Sequence, residues 1–321
     1  MIKLSVIVVL YNEYELVKKT ISSIYKNEIN NMEVILADNT QDNKGYKTLL
    51  KEFPRIKYFH NSVNSGFSGG VNFGLEKATG EYILILTPDM YILPQTINNT
   101  ISYIEKNKDV GLVGSRLYSS PGSQEMSANS SYPSLFTLLY YYNMPLYKLI
   151  RRFNRGYNPN HFPASEHKRI INSKWINGQY MLARKTALKD VKGFDERFFL
   201  YFEDVDLCKR LVENGWKVVY LPVGGVVQNG LTNWKKTKIT QSLPPYMESL
   251  YKFFLKHYGR IYTIISWAIG TISVIMSIPY LFIVSVIKKV FGKQSQSQEL
   301  LPLWLDIARW HLTKGLKLVL I

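Results

Sequence analysis

Three carboxylates follow a run of aromatic residues in the segment "FFLYFEDVDLCKRL" (198–211): Glu203, Asp204 and Asp206. Apolar neighbours raise the proton affinity of a carboxylate, whereas the N-terminus of a helix keeps it ionised. A carboxylate under both influences is suited to removing a proton from a substrate hydroxyl. Structural roles compete with this hypothesis, since Asp204 would also cap the helix predicted for "VDLCKRLVENG" and Asp206 would be a favourable first-turn acid.

The first 90 residues alternate between apolar, strand-like runs and segments with helical spacing. Strands are predicted at "LSVIVVL", "MEVILADN", "IKYFHN" and "EYILILTPD", and helices at "EYELVKKTISSIYK" and "SGGVNFGLEKATG". This alternation predicts an α/β fold built on a doubly wound, mostly parallel sheet. Ligands bind to such sheets beyond the carboxyl ends of the strands.

Polar residues gather at the ends of these four predicted strands. Each of them is an ordinary turn or cap residue when considered alone. Because four successive strand ends agree, they predict a single site. The residues are Tyr11, Asn12, Glu13, Asp38, Asn39, Asn64 to Gly70, and Asp89.

The glycine-rich stretch "NSGFSGGVNFG" (64–74) follows the third strand and leads into a helix. Its glycines do not have the spacing G-x-G-x-x-G, and the loop does not follow the first strand. A dinucleotide-dependent oxidoreductase is therefore excluded. Two interpretations stay open: the loop binds a phosphate-bearing ligand at the helix N-terminus, or it forms a tight turn with close helix packing.

The formal charge of +16 is unevenly distributed along the chain. Residues 1–100 contain ten basic and ten acidic residues, whereas residues 207–321 contain fifteen basic and four acidic residues. This excess predicts a partner with an anionic surface, either a membrane or a nucleic acid. No basic recognition motif supports nucleic-acid binding. The single cysteine, Cys208, excludes an internal disulfide framework.

The C-terminal part contains a long apolar segment. From Ile261 to Ile287 there is no charged residue, and this stretch exceeds the ~20 apolar residues that a spanning helix needs. Basic residues flank it on both sides and so set no orientation. A single crossing and a hairpin bent at Gly270 or Pro279 both fit, and we favour the hairpin. The predicted domains are a catalytic domain at 1–245 and a membrane-associating helical region at 246–321.

Seven motifs together give the chain a specific resemblance over about residues 3–230. They are "VVLYNE", "LADNTQD", "NSGFSGGVNFG", "ILILTPD", "WINGQYMLARKTAL", "GFDERFFLYFEDVDLCKRL" and "GWKVVYLP". In order and approximate spacing they resemble the family 2 glycosyltransferases with the GT-A fold. They are most similar to the bacterial rhamnosyltransferases that build cell-surface polysaccharides.

This resemblance implies a nucleotide-sugar site at the strand ends. Asp38 would contact the donor nucleoside with help from the turn after the first strand, and the glycine-rich loop would lie beside the nucleotide and diphosphate. The implied donor-binding residues are Tyr11, Asn12, Glu13, Asp38, Asn39, Asn64, Gly66, Phe67 and Asn72. Asp89 would hold a divalent cation, Mg²⁺ or Mn²⁺, on the diphosphate.

Two residues depart from the family pattern around Asp89. The family's Asp-x-Asp is here Thr87-Pro88-Asp89, and Gln228 stands where many members have a His after the "GWKVVYLP" strand. Gln is a poorer ligand for such a cation than imidazole or carboxylate. These departures motivate an alternative function, a catalytically inactive glycosyltransferase-like membrane partner or scaffold protein.

The resemblance also assigns roles to the acidic pair. Asp204 would be the general base of an inverting transfer, and the aromatic residues before it would form a wall on which a sugar stacks. Glu203 would either orient the acceptor or pair with Arg184 or Arg197. For Asp206 we expect the structural role of a first-turn acid.

The implied function is transfer of L-rhamnose from dTDP-L-rhamnose onto a lipid-linked or cell-surface polysaccharide acceptor. The basic, aromatic insertion at 120–172 is expected to set acceptor specificity or to contact lipid head groups. We expect the catalytic domain on the cytoplasmic face of the cell membrane. Its expected partners are the nucleotide-sugar donor, the acceptor and a membrane surface, and not nucleic acid.

Overall fold

The chain, described here by a computed structural model, divides into two compact units. The sheet unit comprises Met1–Ser130 and Ala164–Asn233, and the helical unit comprises Ser131–Pro163 and Trp234–Ile321. The structure describes residues 3–42, 45–120, 123–125, 128–154, 157–163, 165–228, 237–291 and 296–320.

The strands of the sheet unit form three sheets. The strands are β1 (Leu4–Leu10), β2 (Met32–Asp38), β3 (Lys57–His60), β4 (Tyr82–Leu86), β5 (Met90–Ile92), β6 (Val110–Gly114), β7 (Leu117–Ser120), β8 (Ser123–Glu125), β9 (Ala128–Asn129), β10 (Ile171–Asn172), β11 (Trp175–Ile176), β12 (Tyr180–Arg184), β13 (Lys217–Tyr220) and β14 (Val226–Gln228). The largest sheet has the order β10-β13-β6-β12-β4-β1-β2-β3, a second has the order β5-β14-β7-β8, and a third pairs β11 with β9.

The helices divide between the two units. Those of the sheet unit are α1 (Tyr14–Tyr25), α2 (Tyr46–Glu52), α3 (Gly66–Lys77), α4 (Thr96–Lys106), α7 (Lys185–Asp190) and α8 (Glu203–Glu213). Those of the helical unit are α5 (Leu135–Tyr142), α6 (Met144–Phe153), α9 (Thr237–Val290), α10 (Gln296–Trp310) and α11 (Leu316–Leu320), with a π-helical turn at His311–Gly315 between the last two.

The predicted parallel core is confirmed. Strands β3, β2, β1 and β4 are neighbours and run parallel, and every residue of β1 is buried. A parallel strand covered on both faces is apolar along its whole length, which explains the sequence "LSVIVVL". Strand β12 runs antiparallel between β4 and β6, so the sheet is mixed but mostly parallel.

The four-stranded sheet brings a late part of the chain beside the end of β4. Strand β14 pairs antiparallel with β5, and Gln228 lies opposite Met90. Because Asp89 directly precedes Met90 in the chain, this register places Gln228 next to Asp89.

The long helix α9 is interrupted at Gly259, whose φ of 83° is not helical. The hairpin bend that we favoured at Gly270 or Pro279 is therefore wrong, since both residues lie inside the helix. Gly270 has a packing role instead. A Cβ at that position would lie 2.7 Å from the Tyr251 hydroxyl oxygen and 2.9 Å from His311 Cε1.

The units also differ from the domains that we predicted. The segment Ser131–Pro163, which we placed with the catalytic domain, belongs to the helical unit. Ser277, which is fully buried on α9, ties this segment to the helix by accepting a bond from the Met144 N–H at 2.7 Å and donating to the Tyr142 carbonyl at 2.8 Å.

The part of α9 after Gly259 has large apolar side chains outside and small hydroxyl side chains inside. Its buried polar residues are Thr263, Ser266, Thr271, Ser273 and Ser277, and its exposed apolar residues include Ile272, Ile275, Met276, Phe282, Ile283, Val286 and Ile287. Within the described residues, Leu243–Val290 is long and apolar enough to span a membrane, and only 33% of its most apolar window is buried. This distribution is the reverse of that in a water-soluble core helix and is typical of helices packed in lipid.

Candidate active site

The turns after β1, β2 and β3 meet at one edge of the sheet, as predicted from the sequence. The Asn12 N–H donates to Thr40 Oγ1 at 2.8 Å, and Asn39 Nδ2 donates to the Gly66 carbonyl at 2.7 Å. These bonds join the three turns into one surface, on which Tyr11 is 48% exposed. Asn12 is exposed beside it, whereas Glu13 is half-buried at the start of α1.

Asp38 lies beneath this surface and is fully buried. Its Oδ2 accepts hydrogen bonds from the hydroxyls of Tyr14 (2.7 Å) and Tyr58 (2.8 Å), and its Oδ1 accepts one from the Thr40 N–H (2.9 Å). Burial and the Asp38 carboxylate together raise the pKa of Tyr14. A nucleoside contact by Asp38 stays a prediction. The two tyrosines that it orients were missed by the sequence analysis, because tyrosines near strand ends carry no distinctive pattern.

The glycine-rich loop contains one position that only glycine can occupy. Gly66 has a φ of 72°, and a Cβ there would lie 2.2 Å from the Phe199 carbonyl oxygen. Asn64 Oδ1 accepts the Gly66 N–H at 3.1 Å, and the Phe67 N–H donates to the Phe199 carbonyl at 2.9 Å. The tight-turn interpretation is therefore confirmed for Gly66, while phosphate binding by the loop stays a prediction.

Asn72, on α3, is hydrogen-bonded to the segment that leads into α8. Its Oδ1 accepts the Phe194 N–H and its Nδ2 donates to the Phe194 carbonyl, both at 2.9 Å, and Nδ2 also donates to Glu196 at 2.8 Å. In addition, Ser68 Oγ donates to the Phe198 carbonyl at 2.6 Å. These contacts give Asn72 a structural role in joining α3 to residues 194–199, and a donor contact by Asn72 stays a prediction.

Asp89 is held between two neutral donors. Its Oδ1 accepts a bond from Thr87 Oγ1 at 2.7 Å, and its Oδ2 accepts one from Gln228 Nε2 at 2.8 Å. Both residues that depart from the family pattern thus contact the carboxylate directly. Their side chains keep Asp89 in a fixed orientation at the end of β4.

These residues fit a divalent cation on a diphosphate. Among the described residues no cluster of three His, Cys, Asp or Glu side chains forms a complete metal site. However, Mg²⁺ is commonly held by one or two carboxylates, with phosphate oxygens and water completing its coordination. Asp89 supplies the carboxylate, and rotation of the Gln228 amide would present its oxygen in place of its nitrogen.

Asp204 is the second residue of α8, and two residues before the helix have unusual backbone conformations. Tyr201 and Phe202 have φ values of 68° and 65°, a region that costs energy for bulky residues and is concentrated at functional sites. Asp204 Oδ2 accepts the Gly178 N–H at 2.9 Å, and Oδ1 accepts the Val205 N–H at 2.8 Å. Phe202, not Asp204, occupies the N-cap position of α8.

The environment separates the proton affinities of the two neighbouring acids. Burial raises the pKa of Asp204 to about 6, although the hydrogen bonds from the Val205 and Gly178 main chains lower it. Burial, with a further contribution from the Asp204 charge, raises the pKa of Glu203 well above its ordinary value. At neutral pH Asp204 is therefore largely ionised and yet more basic than an ordinary carboxylate, which suits it to accepting a proton.

Glu203 is not paired with either arginine that the sequence suggested. Arg184 Nη2 donates to the Ile104 carbonyl at 2.7 Å, and Arg197 forms an ion pair with Asp195. Glu203 is only 7% exposed, and its Oε2 has no hydrogen-bond partner among the described residues. The arginine-pairing alternative is thus wrong, and the acceptor-orienting role stays a prediction.

The rest of the acidic–aromatic segment is mainly structural. Asp206 is fully buried and accepts a bond from Arg210 Nε at 2.8 Å, one turn later in α8. Phe198 and Phe202 are buried in the sheet unit, whereas Phe199 is 47% exposed. The predicted aromatic wall is therefore smaller than expected, with Phe199 as its exposed member.

The family comparison decides the class of this site. The profile described as "Glycosyl transferase family 2" matches residues 5–176, which is more than half of the chain. The chain belongs to glycosyl transferase family 2. This family 2 glycosyltransferase is a transferase, and its strand-end surface lies beyond the carboxyl ends of the parallel strands, where open α/β sheets generally bind ligands.

Curated relatives place this family 2 glycosyltransferase near the rhamnosyltransferases. It is 26% identical over 207 residues to the N-acetylglucosaminyl-diphospho-decaprenol L-rhamnosyltransferase of Mycobacterium tuberculosis, a match spanning 61% of this chain and 66% of the relative. It is 25% identical over 224 residues to the rhamnosyltransferase WbbL of Escherichia coli, spanning 68% of this chain and 80% of the relative.

A solved structure supports the fold of this family 2 glycosyltransferase. The mannosyltransferase PcManGT from Pyrobaculum calidifontis, in complex with GDP-Man and Mn²⁺, superposes with a TM-score of 0.58 and 14% identity. The match covers 97% of this chain and 87% of that chain. It confirms the predicted GT-A-type fold.

Proposed function

We propose that this glycosyltransferase transfers L-rhamnose from dTDP-L-rhamnose, with inversion, onto a lipid-linked acceptor. The arrangement around Asp204 carries the proposal. A half-buried carboxylate with a pKa of about 6 is held by two main-chain N–H groups at the start of α8, next to the buried side chain of Glu203. Asp204 is the general base that removes the acceptor's proton, and Glu203 orients the acceptor.

The donor occupies the edge formed by the turns after β1 to β4. Asp89 and Gln228 would hold a divalent cation there, and this cation would offset the negative charge that develops on the leaving diphosphate. The turn at Tyr11 and Asn12, with the tyrosines above Asp38, forms the nucleoside side of the site. The two rhamnosyltransferases among its relatives support rhamnose as the sugar.

The donor proposal is tested with purified protein and a panel of nucleotide-sugars. The acceptor probe is N-acetylglucosaminyl diphosphate attached to a short prenyl chain, since a relative is named for such a substrate. We expect a kcat/KM for dTDP-L-rhamnose at least tenfold above those for UDP-glucose and GDP-mannose. Consumption of a UDP-hexose, with dTDP-L-rhamnose neither bound nor turned over, would contradict the proposed donor.

The helical unit holds the enzyme at the cytoplasmic face of the membrane. The exposed apolar side of α9 after Gly259 faces lipid, while its buried hydroxyl groups face the other helices of the unit. The basic residues Lys288 and Lys289 at its end suit anionic head groups. The enzyme would therefore meet the lipid-linked acceptor at the membrane surface, where the lipid carrier is embedded.

Lysines placed in the middle of this apolar face should release the protein from membranes. We expect the double change Ile275→Lys with Phe282→Lys to shift most of the protein to the soluble fraction, because a lysine at mid-membrane costs about 3 kcal/mol. The control is Ile261→Lys with Val290→Lys, at apolar positions that are also exposed but lie beside existing basic residues at the two ends of this face. Sedimentation with liposomes measures both, and equal binding of both variants would place the attachment elsewhere.

A further inference from the structure

The helical unit contains an apolar cavity that the transfer reaction does not use. Its volume is about 200 Å³, and it lies between α5 and the part of α9 before Gly259. Its lining includes Leu138, Tyr141, Tyr142, Tyr246, Leu250 and Phe254. Leu138 and Phe254 are fully buried in its interior, whereas Tyr141 and Tyr246 are 36% and 37% exposed.

Two polar side chains that line this cavity are hydrogen-bonded to other residues of the protein. Thr137 Oγ1 donates to Asn160 Oδ1 at 3.0 Å, and the Tyr141 hydroxyl donates to Asn158 Oδ1 at 2.9 Å. Because these two hydroxyl groups are already hydrogen-bonded, Thr137 and Tyr141 contribute mainly carbon atoms to the lining of the cavity. A sugar would leave its hydroxyls unpaired there, whereas a hydrocarbon would not.

The cavity suits a branched hydrocarbon of defined size. An apolar cavity of about 150 Å³ holds one benzene molecule, so this cavity has room for a five-carbon isoprene unit. A discrete cavity also differs from the continuous apolar face of α9, which fits bulk lipid. A cavity of this kind fixes one chain in one place.

The positive charge of helix α6, which adjoins the cavity, indicates that the bound hydrocarbon chain carries an anionic group. Residues 131–163 contain four basic residues and no acidic residue. Three of these, Lys148, Arg151 and Arg152, lie on α6, which begins one residue after α5 ends. The exposed side chains of Leu149 and Phe153 on the same helix suit a membrane interface.

We propose that the cavity binds an isoprene unit of the acceptor's polyprenyl chain, with the basic residues of α6 attracting its phosphate groups. This inference rests on the proposed lipid-linked acceptor. It makes the insertion at 131–163 a lipid-recognition element, which selects the carrier of the sugar independently of the sugar itself.

Photo-crosslinking tests this proposal without requiring sugar transfer. The probe is a farnesyl diphosphate analogue with a terminal benzophenone, added to the full chain in detergent, and mass spectrometry locates the adducts. We expect adducts within 133–142 and 246–254, displaced by undecaprenyl phosphate but not by a tenfold excess of dioleoylphosphatidylglycerol. Adducts elsewhere would overturn the proposal, and equal displacement by the phospholipid would identify the cavity as a bulk-lipid site.

A matched pair of variants on α5 adds a second test. Tyr141→Asp places a charge at the cavity, whereas Phe136→Asp places one at a 44% exposed aromatic outside it. We expect labelling to fall at least fivefold in Tyr141→Asp and to be unchanged in Phe136→Asp. Equal labelling of the two variants would overturn the proposal, and if Tyr141→Asp does not fold, the wild-type adducts and their competition decide.

Discussion

Replacing Asp204 with Asn is expected to lower kcat by a factor of ~10² to 10⁴, the usual contribution of a general base. Asn keeps the shape of the side chain and can still accept a hydrogen bond from the Gly178 or Val205 main chain, but it has no basic oxygen. Steady-state kcat at saturating donor and acceptor measures the loss. Calorimetric titration with the donor nucleotide should give a nearly unchanged Kd.

Stability separates this catalytic role from a structural one. Because burial raises the pKa of Asp204 in the folded chain, its stabilising effect is complete below the pKa of the unfolded chain and is lost as the pH rises through about 6. Ionised Asp204 thus costs up to about 3 kcal/mol at pH 7. Asp204→Asn should therefore raise Tm. A purely helix-capping role predicts little change in Tm and a nearly normal kcat, because Asn caps a helix about as well as Asp.

Asp206→Asn is the matched control, with the opposite pattern. It removes one partner of the buried pair with Arg210, and such losses destabilise by about 3 kcal/mol or more. Its Tm should fall clearly, while the kcat of the folded protein should stay within a few-fold of the wild type. If fully folded Asp206→Asn shows a large loss of kcat, the assignment of Asp204 as the general base is wrong.

The same carboxylate should set the acid limb of the pH profile. Only ionised Asp204 accepts a proton, so kcat/KM should fall about tenfold per pH unit below pH 6. Burial, with a contribution from the Asp204 charge, also raises the pKa of Glu203 well above its ordinary value. A profile that stays flat down to pH 5 would indicate a different base.

Asp89→Ala is expected to lower the rate of transfer at least ~100-fold. EDTA should lower the rate of the wild type by the same factor, and added Mn²⁺ or Mg²⁺ should restore it. The reason is that Asp89 is the carboxylate at this edge of the sheet that the structure places beside Gln228. Transfer assays across a Mn²⁺ titration measure the requirement. Full activity in chelator, with Asp89→Ala harmless, would show a metal-independent site.

Gln228 provides the control for this prediction. Gln228→His introduces the better cation ligand that the family resemblance implies, and it should lower the Mn²⁺ concentration needed for half-maximal activity by about tenfold. Gln228→Ala should raise that concentration, because Asp89 loses its 2.8 Å hydrogen bond. If neither variant changes the Mn²⁺ dependence, Gln228 has no part in the metal site.

The sequence predicted the parallel core because buried strands are apolar along their whole length. The runs "LSVIVVL" and "EYILILTPD" both lie in the large sheet, and the polar residues after them do meet at one edge. Their individual contacts were not predictable. Asp38 is covered by Tyr14 and Tyr58, and Asn72 is bonded to Phe194, through long-range packing that no local pattern indicates.

The helical unit was harder to predict, because glycine and proline have more than one use. We favoured one bend, at Gly270 or Pro279, but Gly270 allows Tyr251 and His311 to approach each other closely at α9. The interruption at Gly259 lies between polar residues and gave no distinct signal. Likewise, the grouping of Ser131–Pro163 with the C-terminal helices depends on contacts such as those of Ser277.

The hydrogen bonds from α3 to residues 194–199 have a thermodynamic consequence. The helix that begins at the proposed diphosphate loop is tied, through Asn72, Ser68 and Phe67, to the segment that ends at Asp204. On the proposed function, the donor and the acceptor would both bind to one connected piece of chain. Any factor by which the donor then strengthens acceptor binding must equal the factor by which the acceptor strengthens donor binding.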